Sequence, residues 1–577
     1  MAIITKELKQ VMLQEENNMK FKEMPYERPN ISELLDYLDS ITVKINDAKT
    51  AEEQLSYIKD YDDHKKDFET SYSLASVRHT IDTRDEFYEE EDDFFNENAP
   101  LVEAKSVQVA QAIVDSKFKE ELYPEIGKHY FDLKECSLVL TDDAIPFMQK
   151  DNELSSRYNK LIANSEIEFE GKTYTLTQMS PLLQSTDREY RKGAYDAMWA
   201  WFEKNESEFD AIYDEMVHVR TDMAKALGYD TFTDLQYKLL TRTDYNKDDV
   251  AEYREKILKT ITPIAVELRK QQAERLGLDD FKAYDKPIEF ADGNPNPKGD
   301  KDFIVSNAQK MYRELSPQTG KFFDFMVENE LMDLVAKPGK QSGGYCTSFD
   351  KYNSPFIFSN FNGTKGDVEV VTHEAGHAFQ NFSSQCMPLS DLIWPTYEAC
   401  EIHSMSMEFL TWPWMNLFFK EDTDKFKYAH LKDAICFIPY GVTIDEFQHF
   451  VYENPSATPD ERKAAFHEIE MKYQPDLNYD NDFVAKGTYW FRQGHVFCSP
   501  FYYIDYTLAQ VCAFQYLLKS LDDQEKAIAE YIHLCEAGGM KSFFNLLPEG
   551  NIENPMTTSV LEEIAPKLLE VINSIEF

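Results

Sequence analysis

Residues 371–380 read VTHEAGHAFQ, and the reading of this stretch decides what the rest of the chain must build. On a helix, side chains four positions apart lie on one face, so His373 and His377 can offer two imidazole nitrogens to one ion. Glu374 stands one step round, where its carboxylate can pass a proton to and from a water without being a ligand. Val370, Val371, Ala378 and Phe379 bound the motif with apolar side chains, as a buried active-site helix requires.

A catalytic ion of this type needs a third protein donor and one position left open. The pattern with a third histidine six residues after the second is excluded, because Ser383 stands there and Gln380 replaces the glycine it also uses. The other common arrangement takes a carboxylate from a following helix. TYEACEIHSMSMEFLTW (396–412) offers Glu398, Glu401 and Glu408. Spacing alone does not choose among them, since Glu401 and Glu408 share a helix face and Glu398 lies one turn before Glu401. His403 points away from the face of Glu401 and reads as a packed or capping histidine.

The chain has 577 residues, more than one core usually holds, so two or more closely packed subdomains are expected. A composition of 42% hydrophobic and 14% aromatic residues with 20 glycines suits a folded, helix-rich protein. A net charge of -44 repels phosphates and anionic lipid, which excludes nucleic acid and membrane surfaces as partners. Eight cysteines without a C-x-x-C pair give no disulfide framework and no cysteine-rich metal site. The opening MAIITKELKQVMLQEENN lacks the apolar run of a leader, and no segment reaches the roughly 18 apolar residues of a membrane span, so a cytoplasmic location is expected.

From Asn30 to about Lys160, apolar residues recur at three- and four-residue steps and predict a layer of helices. The stretch DEFYEEEDDFFNENAP (85–100) reads as one wet and one buried helix face rather than as a metal site. EIEFEGKTYTL (166–176) predicts a hairpin turning at Gly171-Lys172, and Thr186 with Glu189 predicts a capping box opening the next helix, which sets a domain boundary near 180. ADGNPNPKGD (291–300) reads as a loop, and short strands are expected around GGYCTSF (343–349) and PFIFSNF (355–361), just before the quoted helix.

Taken together, HEAGH (373–377) and EIHSMSMEF (401–409), beginning 24 residues past His377, resemble the zinc metallopeptidases typified by thimet oligopeptidase and neurolysin, most closely their oligoendopeptidase F branch. The resemblance covers most of the chain. It implies a mainly α, neurolysin-like zincin in which two helical subdomains enclose a deep substrate channel, with a small β-sheet beside the zinc helix. Residues 1–180 would form one channel wall and 181–577 the catalytic domain.

The resemblance also implies one Zn2+ per chain, held by His373, His377 and Glu401, with Glu374 as general base. Glu408 becomes a supporting carboxylate and Glu369 a partner for a ligand imidazole. In GHVFCSPFYYIDYTLAQ (494–510), His495 and a tyrosine pair would bind substrate and steady the transition state. The step from His495 to the pair is one residue shorter here than in the family, which leaves Tyr502 as an alternative to Tyr503 beside Tyr506. PFIFSNF would be the edge strand against which the substrate lies extended. The expected activity is cleavage of internal bonds in short unstructured oligopeptides. Its rivals are a carboxypeptidase or dipeptidase and a non-catalytic peptide-binding protein.

Overall fold

A computed structural model describes residues 19–577; the opening segment read above for a leader lies outside the described residues. Four helices come first: α1 (Ile31–Asp47), α2 (Ala51–Ile81), α3 (Glu86–Val114) and α4 (Lys119–Ser137). Side chains of Asn30, Thr50 and Asp85 cap the first three by accepting backbone N–H groups of the opening turn. Leu38, Ile41 and Ile45 of α1 pack with Val109 and Ile113 of α3 in a core of their own. The acidic stretch in α3 divides as its pattern requires: Phe95 is buried, and Glu91 turns inward to Arg28 at 2.6 Å.

This small core is closed by a distant segment. Leu389 and Leu392 belong to it, although they lie beyond the HEAGH helix. The Ser390 N–H and hydroxyl donate to Asp62 at 2.8 and 2.6 Å, and Asp391 bridges Lys65 at 2.5 Å and Lys134 at 2.7 Å. Helix α5 (Ile145–Ala163) instead places Leu154, Tyr158 and Ile162 in the larger core that runs through the remainder of the chain.

Strands β1 (Ile167–Phe169) and β2 (Lys172–Tyr174) form the hairpin, but its turn is Glu170-Gly171. Both residues have positive φ, 49° and 75°, the pair of left-handed values a two-residue hairpin turn demands. The next helix (Arg188–Lys204) is capped by Asp187, whose carboxylate accepts from the N–H groups of Glu189 and Tyr190, so the expected Thr186 cap is displaced by one residue. Residues 291–300 contain no helix or strand.

A second sheet carries β3 (Met332–Val335), β4 (Tyr345–Phe349) and β5 (Ser354–Phe361) in the order β3-β5-β4. The sequence reading made PFIFSNF the edge; it is the middle strand. Its nearly unbroken burial is that of a strand covered on both faces and paired on both sides, parallel to β3 and antiparallel to β4. The edges are therefore β3 and β4, the latter within GGYCTSF.

The chain then enters α6 (Gly366–Ser384), α7 (Tyr397–Leu410), α8 (Thr423–Glu453), α9 (Tyr503–Asp522) and α10 (Gln524–Ala537). Helix α7 packs between α6 and α9, and α8 packs on the other flank of α9. All eight cysteines are free, and no helix among the described residues is long and apolar enough to cross a membrane.

Candidate metal centre

The turn from β5 into α6 is fixed by Asp367, whose carboxylate accepts the N–H groups of Asn362 and Gly363 at 2.8 Å each. Two turns along α6, the His373 and His377 rings meet edge to face with centroids 5.1 Å apart. Between them lies Gly376. A Cβ there would stand 2.5 Å from the His403 carbonyl oxygen and 2.6 Å from Ser404 Cα, so the missing side chain lets the backbones of α6 and α7 touch.

That approach brings Glu401 to the imidazole pair. Its Oε2 lies 3.2 Å from His373 Nε2 and 3.4 Å from His377 Nε2. A tetrahedral ion with bonds of about 2.0–2.1 Å sets its ligand atoms about 3.3 Å apart, which is the spacing of Glu401 Oε2 from each imidazole, and all three donors lie within 4.8 Å of one another. Ser404 donates to the same Oε2 at 2.8 Å, and the Tyr502 hydroxyl donates to Oε1. Among the described residues, only these three side chains form a metal-binding group of this kind.

The electrostatics favour positive charge here. Burial opposes ionisation of His373, but the Glu401 and Glu408 carboxylates outweigh it and raise the imidazole well above its ordinary range. Burial likewise opposes charge on Glu401, yet His377 and His373 hold it well below the usual carboxylate range. Glu374 behaves differently: burial raises it, with the two imidazoles opposing. Its Oε2 is buried without a protein partner, while Oε1 faces Gly344, where even a Cβ would come within 3.3 Å.

The other two carboxylates separate by position. Glu398 is buried and accepts from the Tyr245 hydroxyl. Glu408 lies behind His373, its Oε1 2.7 Å from Nδ1, which leaves Nε2 for the ion. Glu369, expected beside a ligand imidazole, pairs instead with Lys365, and the outer nitrogen of His373 is taken by Glu408. His403 is fully buried against the Cys535 thiol at 3.4 Å, and burial lowers it to about 3.

A cavity of about 660 Å³ opens over the group, lined by Glu374, Tyr345 to Thr347 of β4, His495, Tyr502 and Tyr506. A second cavity of about 560 Å³ shares Tyr345, Cys346 and Thr347, so the two cavities adjoin at β4. The Gln493 amide donates to His495 Nδ1 at 2.9 Å, which puts the ring hydrogen on Nε2, 3.1 Å from the Tyr506 hydroxyl. Burial lowers His495 to about 4.

Tyr503 is not among the residues lining the cavity; it packs edge-on against Phe437 and Tyr440. Tyr502, one residue before α9 begins, does line the cavity, with its ring 5.1 Å from that of Tyr506. Tyr397 was missed. It lies one turn before Glu401, projects into the cavity and meets the Tyr502 ring edge-on at 5.1 Å; the four-residue step to Glu401 was the available signal.

The family description Peptidase family M3 matches residues 181–566, and Peptidase M3 N-terminal domain matches residues 21–141. The solved structure of PZ peptidase A with an inhibitor is 48% identical, with a TM-score of 0.95 over 96% of this chain and 100% of that one. Oligoendopeptidase F from Bacillus anthracis str. Ames is 46% identical, with a TM-score of 0.91 over 97% and 99% of the two chains. Group B oligopeptidase PepB of Streptococcus agalactiae serotype III (strain NEM316) is 22% identical over 404 residues, a match spanning 67% of this chain and 64% of that protein. With the family matched across most of its length and near-complete structural agreement, the chain belongs to peptidase family M3, in its oligoendopeptidase F branch.

Proposed function

We propose that this peptidase is a zinc-dependent endopeptidase that cleaves internal bonds of short, unstructured oligopeptides, with Glu374 as general base. The observation that carries this reading is the buried, partnerless Oε2 of Glu374 beside a converging His-His-Glu group whose carboxylate stands at the spacing of a zinc-sized ion from both imidazoles. When bound by His373, His377 and Glu401, that ion would supply Lewis acidity to water and to the scissile carbonyl. Glu374, whose basicity burial raises against the two opposing imidazoles, takes a proton from the attacking water and returns it to the leaving amine.

Tyr506 receives the Nε2–H of His495 on its oxygen, so its own hydrogen is free to donate to the developing oxyanion. Tyr502 holds Glu401 in place, and its position favours it over Tyr503 as the second phenol of the site. The β4 edge offers main-chain groups to an extended peptide, a mode of binding that accepts many sequences.

Cleavage within a chain is favoured over removal of a terminal residue because a second cavity adjoins the metal cavity at β4, leaving room for a peptide to continue past the site. The one Lys or Arg lining the metal cavity, Lys134, is engaged by Asp391 and is not free to fix a terminal carboxylate. Eight unpaired cysteines suit a reducing, cytoplasmic setting. The test is Glu374→Gln assayed on an internally quenched peptide blocked at both ends. Activity should fall by about 10³-fold or more with zinc content unchanged; retained cleavage would remove Glu374 from its role, and no cleavage of blocked peptides by the wild type would remove the endopeptidase reading.

A further inference from the structure

The imidazole of His373 is the near end of a hydrogen-bond chain that leads away from the cavity. Behind it, Glu408 Oε1 lies 2.7 Å from Nδ1. The other oxygen of that carboxylate lies 2.6 Å from Nε2 of His430, on α8. The Trp412 indole then reaches His430 Nδ1 at 3.0 Å. Trp412 and His430 are both buried, only 6% and 5% exposed.

Proton placement along this chain follows from its last member. An indole N–H can only donate, so His430 Nδ1 must accept and carries no hydrogen. The ring hydrogen is then on Nε2, where it donates to Glu408 Oε2. Glu408 accepts at both oxygens, and Oε1 takes the Nδ1–H of His373. That leaves the lone pair of His373 Nε2 facing Glu401 and the candidate ion. Without the indole, His430 is free to turn over or to move its hydrogen to Nδ1, and Glu408 then faces a lone pair instead of a donor.

The packing holds the chain in this order. The His430 ring stacks on Phe426 at 5.5 Å with an interplanar angle of 7°, and Phe409 covers it at 4.7 Å. The group joins α6, α7 and α8, so it also fixes how the helix bearing the histidines meets the helix bearing Glu401.

We propose that His430 and Trp412 are positioning residues for the metal, acting through Glu408 to fix both the orientation and the hydrogen of His373. The inference rests on the metallopeptidase reading. It is tested on the zinc-loaded full chain by following zinc release to an excess of 4-(2-pyridylazo)resorcinol. His430→Leu fills the space but donates nothing, and release should quicken about 10- to 100-fold. His430→Gln can present an amide N–H where Nε2 stood, so release should return to within about threefold of wild type. Trp412→Phe keeps an aromatic ring and loses the donor; release should quicken about 3- to 10-fold.

A purely structural role predicts no rescue by Gln. Equal rates for His430→Leu and His430→Gln would therefore overturn the proposal, as would wild-type release from His430→Leu. If His430→Leu does not fold, wild-type release from Trp412→Phe overturns it in the same way. A wild-type chain that retains no zinc brings down the metallopeptidase reading itself, a result distinct from all of these.

Discussion

Replacing Gly376 by Ala sets two effects of opposite sign against each other. Helix propensity alone would make the substitution stabilising by about 1 kcal/mol, because Gly is a poor residue in a helix interior. The structure predicts the reverse. The new Cβ would sit 2.5 Å from the His403 carbonyl oxygen and 2.6 Å from Ser404 Cα, against ordinary contacts near 3.4 Å or more. Both obstacles are backbone and cannot rotate away, so α6 and α7 must separate by roughly 0.8–0.9 Å, at a cost of about 1–3 kcal/mol.

Glu401 rides on α7. The same displacement would carry its Oε2 from 3.2 and 3.4 Å to about 4 Å from the two imidazole nitrogens, too far for bonds of about 2.1 Å to meet at a tetrahedral angle, which sets ligand atoms about 3.4 Å apart. Zinc affinity should fall by about 10²-fold or more, and the metal-free protein should melt earlier. Zinc stoichiometry after gel filtration and competition with a chelator measure the first, and thermal unfolding of the apo chain the second. A Gly376→Ala protein that melts later than the wild type and keeps its zinc would refute the close-approach argument.

Further outcomes are expected elsewhere. Tyr506→Phe should lower kcat by about 10²-fold with zinc content and KM nearly unchanged, whereas Tyr503→Phe should leave kcat within about threefold; peptide kinetics on both variants check this. Asp391→Asn leaves Lys65 and Lys134 side by side without their shared carboxylate, and should cost about 3 kcal/mol in denaturant unfolding.

Glu470 is fully buried, and burial raises it to about 7 against the opposing bond from the Tyr479 hydroxyl. Between its ordinary value of 4.5 and about 7 the folded chain binds the extra proton, so stability falls as pH rises through that window and the loss is complete above it. Glu470→Gln should therefore raise the melting temperature at pH 8, by an amount corresponding to up to about 3 kcal/mol, and leave it unchanged near pH 4; an equal shift at both pH values would count against the assignment.

The helical layers were legible because their apolar residues keep the helix period for several turns. Strand β3 was not, since four residues, Met332–Val335, hold too little pattern to separate from a loop. The run of apolar residues in PFIFSNF marked a strand correctly but carried the opposite message about its place: continuous burial belongs to the middle of a sheet, not to its edge. His373, Glu374 and His377 could be read from spacing within one helix. Glu401 could not be chosen by spacing, because what distinguishes it from Glu398 and Glu408 is the approach of α7 to α6 at Gly376, a contact between segments. Tyr502 was ambiguous for a different reason. It stands at the cap of α9, where the chain changes from loop to helix and no periodicity fixes the direction of a side chain.

The segment between α6 and α7 is sewn into the core of the N-terminal helices. Leu389 and Leu392 sit in the core of the N-terminal helices, and Asp62, Lys65 and Lys134 grip the residues between and beside them. Withdrawing the two leucines alone would cost on the order of 3–6 kcal/mol. The N-terminal helices therefore cannot part from this segment without breaking the seam, and any motion between them and the two ligand-bearing helices has to flex about the strap that connects His377 to Glu401.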